Sequence, residues 1–257
     1  MNCYNGNINV DGRLHINGSV GDDTVITAKG DIIVEGFVAG AKLKSGQNII
    51  IRSGVNANSK GFIVADGAVM GNFFENAIVA AKGNIESNYF LNCDIQTDGK
   101  VISKGNKSRI MGGNIKAAVG IESSYIGSYG ASSVFIDVGN IAWINGRVAG
   151  CQEALYKVEE ELSQLNIGKY KIEAKLSVDE LNNSTIYQRT LQAIQIKTEE
   201  RKDLSYEIAR LRRVANAAEK AYINVRIEMQ QDSRVILGGK VRRFKGDVRH
   251  MRLTRNR

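Results

Sequence analysis

Glycine returns at a fixed interval through the first half of this chain, and that interval constrains the architecture more than any other feature. In register the copies read Thr27-Ala-Lys-Gly30-Asp-Ile-Ile-Val-Glu-Gly36, Lys44-Ser-Gly46-Gln-Asn-Ile-Ile-Ile-Arg-Ser-Gly54, Ala65-Asp-Gly67-Ala-Val, Ala81-Lys-Gly83-Asn-Ile and Thr97-Asp-Gly99-Lys-Val-Ile. Gly30 to Gly46, Gly67 to Gly83 and Gly83 to Gly99 are each 16 residues, with a 21-residue step from Gly46 to Gly67. Between them lie β-branched runs such as Ile32-Ile-Val34 and Ile49-Ile-Ile51. These are too short for helices and are bounded by Gly, Asn, Asp or Ser, so they read as short strands. A period of this length is too short for a propeller blade or a helical repeat, and fits one coil of a β-helix. Coil corners need residues that tolerate φ > 0, the expected role of the repeated glycines and of Asn48, Asn84 and Asn114 beside them. The sequence holds no proline, as expected where strands are locked into a ladder on both sides. The expected fold is mainly β with α: a single-stranded parallel β-helix, right-handed, over residues 1–150.

The remainder follows another pattern. Residues 1–150 hold 23 of the 27 glycines. After Gly146 and Gly150 the apolar positions become Leu155, Val158, Leu162, Leu165, Ile172 and Leu176, a seam with helical spacing. The seam pauses at Leu181-Asn-Asn-Ser-Thr185, where Ser184 is a candidate N-cap. It resumes through Ile194, Leu204, Ile208, Leu211, Ala215, Ala218, Tyr222 and Val225, with Lys197 and Arg201 occupying seam positions. Two helices joined by a short turn lie antiparallel. Residues 151–231 are therefore expected to form a protruding coiled-coil hairpin, with helices of ~40 residues reaching about 60 Å. Residues 232–257, containing Val235-Ile-Leu-Gly-Gly239 and Val241 to Leu253, are expected to return as strands that cap the β-helix. Charge divides in a similar way: 13 basic against 12 acidic residues in 1–150, 13 against 14 in 151–233, and 9 against Asp247 alone in 234–257. The net +8 of the protein thus resides in its tail.

These phrases resemble the flagellar assembly protein A family. The resemblance rests on Gly30-Asp-Ile-Ile-Val-Glu-Gly-Phe-Val-Ala-Gly-Ala41, Gly46-Gln-Asn-Ile-Ile-Ile-Arg-Ser-Gly54, Asn72-Phe-Phe-Glu-Asn-Ala77 and Gly246-Asp-Val-Arg-His-Met-Arg-Leu253, and on the order β-helix, hairpin, terminal strands. It implies a role in flagellar placement or assembly, or in docking a sugar-phosphotransferase component at the cell pole. Members of the family usually carry a further N-terminal domain, which has no counterpart in these residues. The glycine phrasing is also similar to the C-terminal β-helix of the septum-site-determining division inhibitor, and more loosely to the polymer-forming bactofilins. All three resemblances imply positioning or scaffolding.

Catalytic chemistry finds little support. Cys3, Cys93 and Cys151 stand far apart, without a nearby His or a CxxC pair, so neither a zinc site nor a disulfide framework is expected. His15 reads as an exposed strand residue. Asp66, Glu75, Asp94 and Asp98 would suit glycoside hydrolysis or calcium-assisted lyase chemistry on a β-helix face, but read more simply as solvated outward carboxylates. A hexapeptide-repeat acyltransferase would need a catalytic His in a loop between coils, which is missing. No cofactor is expected. No run of 18 apolar residues is present and MNCYNGNINV lacks the basic and apolar parts of a signal peptide, so a cytoplasmic protein is expected.

Interaction surfaces remain. The first expectation is a homo-oligomer, a dimer in its simplest form, formed through an open N-terminal coil of Ile8, Val10, Leu14 and Ile16. The second is an unknown protein partner held by the hairpin residues Leu155, Leu162, Ile194, Leu204, Ile208 and Leu211. The third is a basic surface of Arg242, Arg243, Lys245, Arg249, Arg252, Arg255 and Arg257. That surface would serve nucleic acid or an anionic membrane, or would merely guard a strand edge against aggregation. Trp143 and the pair Phe73-Phe74 read as core or loop anchors.

Overall fold

The apolar residues of each short run alternate between two environments, and this is what winds the chain into coils. In Val25–Ala28, Ile26 and Ala28 are buried while Val25 is exposed and Thr27 half-buried. The same exposed–buried–half-buried–buried sequence recurs in Phe62–Ala65 and Ile78–Ala81. The computed structural model describes residues 3–58, 60–127 and 133–255. Its strands pair in parallel with the equivalent strand one coil away, so that three parallel ladders form three faces of a β-solenoid.

On the first face Ile8 lies beside Ile26, Ile26 beside Leu43, Leu43 beside Ile63, and the column continues through Val79, Ile95, Ile115, Ile136 and Val235. Beyond Ile8 every member of this column is buried. A second face stacks Leu14, Ile32, Ile49, Val69, Ile85, Val101, Ile121 and Ile223. A third stacks Val38, Val55, Phe74, Phe90, Ile110, Ile126 and Met229. Each such side chain contributes roughly 1.5–3 kcal/mol when fully buried, which is the main source of order in an architecture with no other packed layer. Phe74 and Phe90 stack at 5.7 Å with planes 10° apart. Room for them comes from Gly71, where a Cβ would lie 2.8 Å from the Phe74 ring.

The repeated glycines have a different reason from the one expected. Gly30, Gly46, Gly67, Gly83 and Gly99 do not have positive φ. They are places where one coil's backbone passes directly over the next. A Cβ would stand 2.8 Å from Arg13 N at Gly30, 2.5 Å from Lys29 O at Gly46, and 2.9 Å from backbone carbon of the neighbouring coil at Gly83 and Gly99. The left-handed corners fall elsewhere, on Asp23, Asn58, Asn76 and Asn92, and on glycines such as Gly40 and Gly113. Asn48 and Asn84 instead act through their amides. Asn48 Oδ1 accepts from Ala68 N at 2.8 Å and Asn84 Oδ1 from Lys100 N at 3.0 Å, each one coil on. Asn114 sits mid-strand and exposed.

The helical segment begins earlier and ends sooner than its periodicity implied. Helix α1 runs Ile141–Glu173 and α3 runs Thr185–Ala218, with a short α2, Val178–Asn183, between them. They contain 33 and 34 residues, about 50 Å each. Gly146 and Gly150 lie inside α1, exposed to solvent, so these glycines are not a boundary. Ser184 is the N-cap of α3, accepting from Tyr187 N at 3.3 Å. Tyr222 and Val225 do not extend the seam. They belong to the strand Tyr222–Met229, where Ile223 and Val225 point inward and pair with Ile121 and Ser123. Strand alternation there overrides an accidental helical spacing.

Residues up to 141 together with 214 onward form one compact unit, and 142–213 form another. Within the first, the helical segment opens a corner without disturbing the ladder. Gly139 N donates to Ala117 O just as Ala118 N donates to Thr97 O one coil earlier, and Tyr222 N donates to Val119 O. A Cβ on Gly139 would collide with that of Ala221, so the two ends of the insertion meet. The parallel ladder ends in antiparallel pairs. Lys240–Arg242 pairs back on Arg234–Leu237, and Val248–Thr254 on Tyr222–Met229. Phe244, Met251 and Leu253 pack against the core there.

Candidate functional site

Most polar side chains on the solenoid are engaged between coils. Arg13 donates to Asp31 Oδ2 from Nε at 3.2 Å and from Nη2 at 2.9 Å, while Asp31 Oδ1 accepts from Asn48 N and Nδ2. The Asn48 hydrogen bonds, reinforced by Arg13, hold the Asp31 carboxyl below its usual range. His15 pairs with Glu35 at 2.8 Å, Lys29 with Asp11 at 2.9 Å, Lys82 with Asp66 at 2.9 Å and Lys100 with Glu122 at 3.5 Å. Glu75 accepts from Tyr89 Oη at 2.9 Å and from Asn56 Nδ2 at 3.3 Å. Asp98 is buried at a corner rather than solvated, and of the four singled-out carboxylates Asp94 stands exposed without an ion pair among the described residues. Burial pushes the Cys93 thiol up to about 11, and its Sγ lies 3.3 Å from both Phe74 O and Leu91 O. Among the described residues no group of three or more His, Cys, Asp and Glu is placed to hold a metal ion.

The N-terminal coil is the least covered part of the solenoid core. Ile8, Val10, Leu14 and Ile16 are inward-facing yet only half-buried, because the next coil covers them from one side alone. Their equivalents one coil on, Ile26, Ala28, Ile32 and Val34, are almost completely buried.

The hairpin residues have been brought together, but against one another. Val148, Ile208 and Leu211 form a cluster to which Cys151 and Leu155 add, and Val158 and Leu162 are also buried. Ile194 and Leu204 are half-buried on α3. Lys197, at a seam position, reaches Glu161 on α1 at 2.7 Å and Glu200 at 2.9 Å, so it fixes register between the helices. Tyr187 Oη donates to Glu173 at 2.7 Å in the same sense. The apolar residues left open on this unit are others, among them Tyr156, Ile167, Tyr170, Val178, Ile186, Ile196 and Tyr206. They sit out of phase with the seam, the signal that could have found them. Trp143 is half-buried with the Arg147 guanidinium 5.0 Å from its ring.

The basic segment is dispersed. Arg249 pairs with Glu228 at 3.0 Å and Arg252 lies 4.7 Å over the Tyr222 ring. Arg255 is half-buried with its side chain close over Gly238. Arg242 and Arg243 line a concavity with Arg234, Ser233 and Phe244, and Lys245 is exposed. Arg257 lies outside the described residues. No helix among the described residues is long and apolar enough to cross a membrane.

Two outward columns escaped the sequence reading. Phe73 and Tyr89 stack at 5.3 Å with planes 4° apart, Phe37 follows at 6.1 Å, and the Arg109 guanidinium lies 4.5 Å from the Tyr125 ring. On the first face, the outward neighbours of the buried column read Val25, Lys42, Phe62, Ile78 and Asp94 in register. The signal for the second column was the residue just before each inward Ile, Leu or Val.

Neither a curated protein nor a solved structure matches the chain. A family model does: the FapA family, Flagellar Assembly Protein A beta solenoid domain, matches residues 2–254. With nearly every residue matched and the three-faced solenoid in place, this chain belongs to the FapA family of flagellar assembly beta-solenoid domains.

Proposed function

We propose that the chain is a non-enzymatic scaffold for flagellar assembly or cell-pole organisation, working in the cytoplasm through protein–protein contacts. The observation that carries this reading is where its side chains are used. Asp31, His15, Asp66 and Glu75 are tied into inter-coil pairs, whereas apolar groups are left open at the N-terminal coil and on the helical unit. Self-association would use Ile8, Val10, Leu14 and Ile16, which pack on the following coil and stay half-buried among the described residues. Two such ends meeting would give a self-complementary contact that closes on itself. The helical unit would hold a protein partner.

Sedimentation of the chain carrying Ile8→Lys and Leu14→Lys tests the first element, with a lower mass expected; an unchanged mass rules out the end contact. Replacing residues 140–220 by a short glycine linker tests the second. Because Gly139 and Ala221 already adjoin, the solenoid should keep its β circular dichroism while flagellar function in cells is lost. Full function of that deletion would remove the helical unit from the proposal. A second reading, binding of nucleic acid or an anionic membrane, is favoured by the concavity of Arg234, Arg242 and Arg243. It requires binding that falls steeply with salt and that Arg234→Glu with Arg243→Glu abolishes.

A further inference from the structure

We infer that the first solenoid face is a second self-association surface, on which two copies pack side by side with their solenoid axes antiparallel. This is independent of the end contact and rests on other residues. Val25, Phe62 and Ile78 are 39%, 37% and 49% exposed, and all three lie in one outward column, in register with one another and with Lys42 and Asp94. Val64 and Ala80 lie beside them on the same strands, half-buried. An apolar strip of this kind on a flat β surface marks an interaction site.

Charge selects the occupant and its direction. Lys42 and Asp94 flank the apolar centre at equal distance, one coil beyond Phe62 on one side and one coil beyond Ile78 on the other. Both are exposed, and among the described residues neither makes an ion pair; Lys42 approaches the Phe62 ring, at 6.0 Å. Consider a two-fold axis running along the strand direction midway between Phe62 and Ile78. It lays Phe62 of one copy on Ile78 of the other, Val64 on Ala80, Lys42 on Asp94 and Val25 on Asn114, twice over by symmetry. A parallel arrangement of the same faces would instead set Lys42 against Lys42 and Asp94 against Asp94. Like charges placed opposite one another are unfavourable, so the four central positions, Lys42 to Asp94, are self-complementary in one direction only. A second copy of this chain is therefore the partner whose chemistry fits, through an isologous contact.

A charge swap in the full chain decides the matter. Lys42→Asp alone and Asp94→Lys alone should each set like charges opposite one another and lower the sedimenting mass at low salt. The double variant Lys42→Asp with Asp94→Lys should restore it, since the pair is rebuilt with reversed polarity. Ile78→Glu should also lower the mass. The proposal is overturned if the single variants sediment like the parent, or if the double variant is no better than either single. The Ile8→Lys and Leu14→Lys chain separates the two contacts. A mass that falls with those changes but not with the charge variants supports the end contact and removes this one, and the converse removes the end contact.

Discussion

Asp31 shows how a single residue is fixed by its place in the coil. Its carboxylate takes two hydrogen bonds from Asn48 on the next coil and two from Arg13 on the previous one, so three coils are joined through one side chain. Its folded pKa lies below the ordinary 3.8. A depressed acid contributes stability wherever the unfolded carboxylate is ionised, and loses that contribution as pH falls through the folded value. Thermal denaturation should therefore show Asp31→Asn less stable than the parent at neutral pH, with the gap closing below pH 3.8. A gap that stays constant with pH would mean the charge contributes nothing. Phe74 poses the packing counterpart. It is fully buried and stacked on Phe90, and its column cannot collapse because the ladder fixes the spacing between coils. Phe74→Ala should cost about 3–5 kcal/mol, read from urea denaturation. A loss below about 1 kcal/mol would mean that the site can relax.

At the scale of the element, the ladder and the helices respond to glycine in opposite ways. In the solenoid, Gly46 or Gly83 replaced by Ala would press a Cβ onto the backbone of the adjacent coil. In α1, nothing lies within 4 Å of a Cβ added at Gly146 or Gly150, and both positions are exposed. Glycine in a helix interior costs about 1 kcal/mol relative to alanine. Gly146→Ala and Gly150→Ala should therefore each stabilise the helical unit by about 0.5–1 kcal/mol, measured as slower amide exchange along α1. Faster exchange in either variant would show that the backbone there departs from the helix. Between the helices, the Lys197–Glu161 and Tyr187–Glu173 pairs add to the buried contacts of Leu211 and Ile208.

Among the described residues, the first and last coils of the solenoid unit are covered differently. In the first, Ile8 and Leu14 are half-buried. In the last, the chain turns back twice and antiparallel strands carrying Met251 and Leu253 cover the parallel strands. Antiparallel return satisfies backbone groups that would otherwise template further strands. Its Arg249–Glu228 pair and Arg252–Tyr222 contact place charge along the closing edge. Removing residues 240–257 should bare Ile223, Val225, Val235 and Leu237, and the truncated chain should scatter light and bind thioflavin where the parent stays clear. A clear, monodisperse truncation would show that this segment is not a cap.

The sequence by itself determined the coil. A 16-residue glycine period, three-residue β-branched runs and the absence of proline admit one architecture, because inward positions must repeat at the interval at which the backbone repeats. It also determined that two helices interrupt that architecture and that Ser184 caps the second. Tertiary structure alone decided why the glycines are there, since close passage of one coil over another cannot be told from a left-handed corner by spacing. It decided where the helices stop, since Tyr222 and Val225 continue the helical spacing while Ile223 and Val225 alternate as in a strand, and the ladder partner Gly120–Ile126 selects the strand. It also decided the outward columns. Val25, Lys42, Phe62, Ile78 and Asp94 are separated by 16 to 20 residues in sequence, and only the unequal lengths of successive coils, fixed by their corners, bring them into one line.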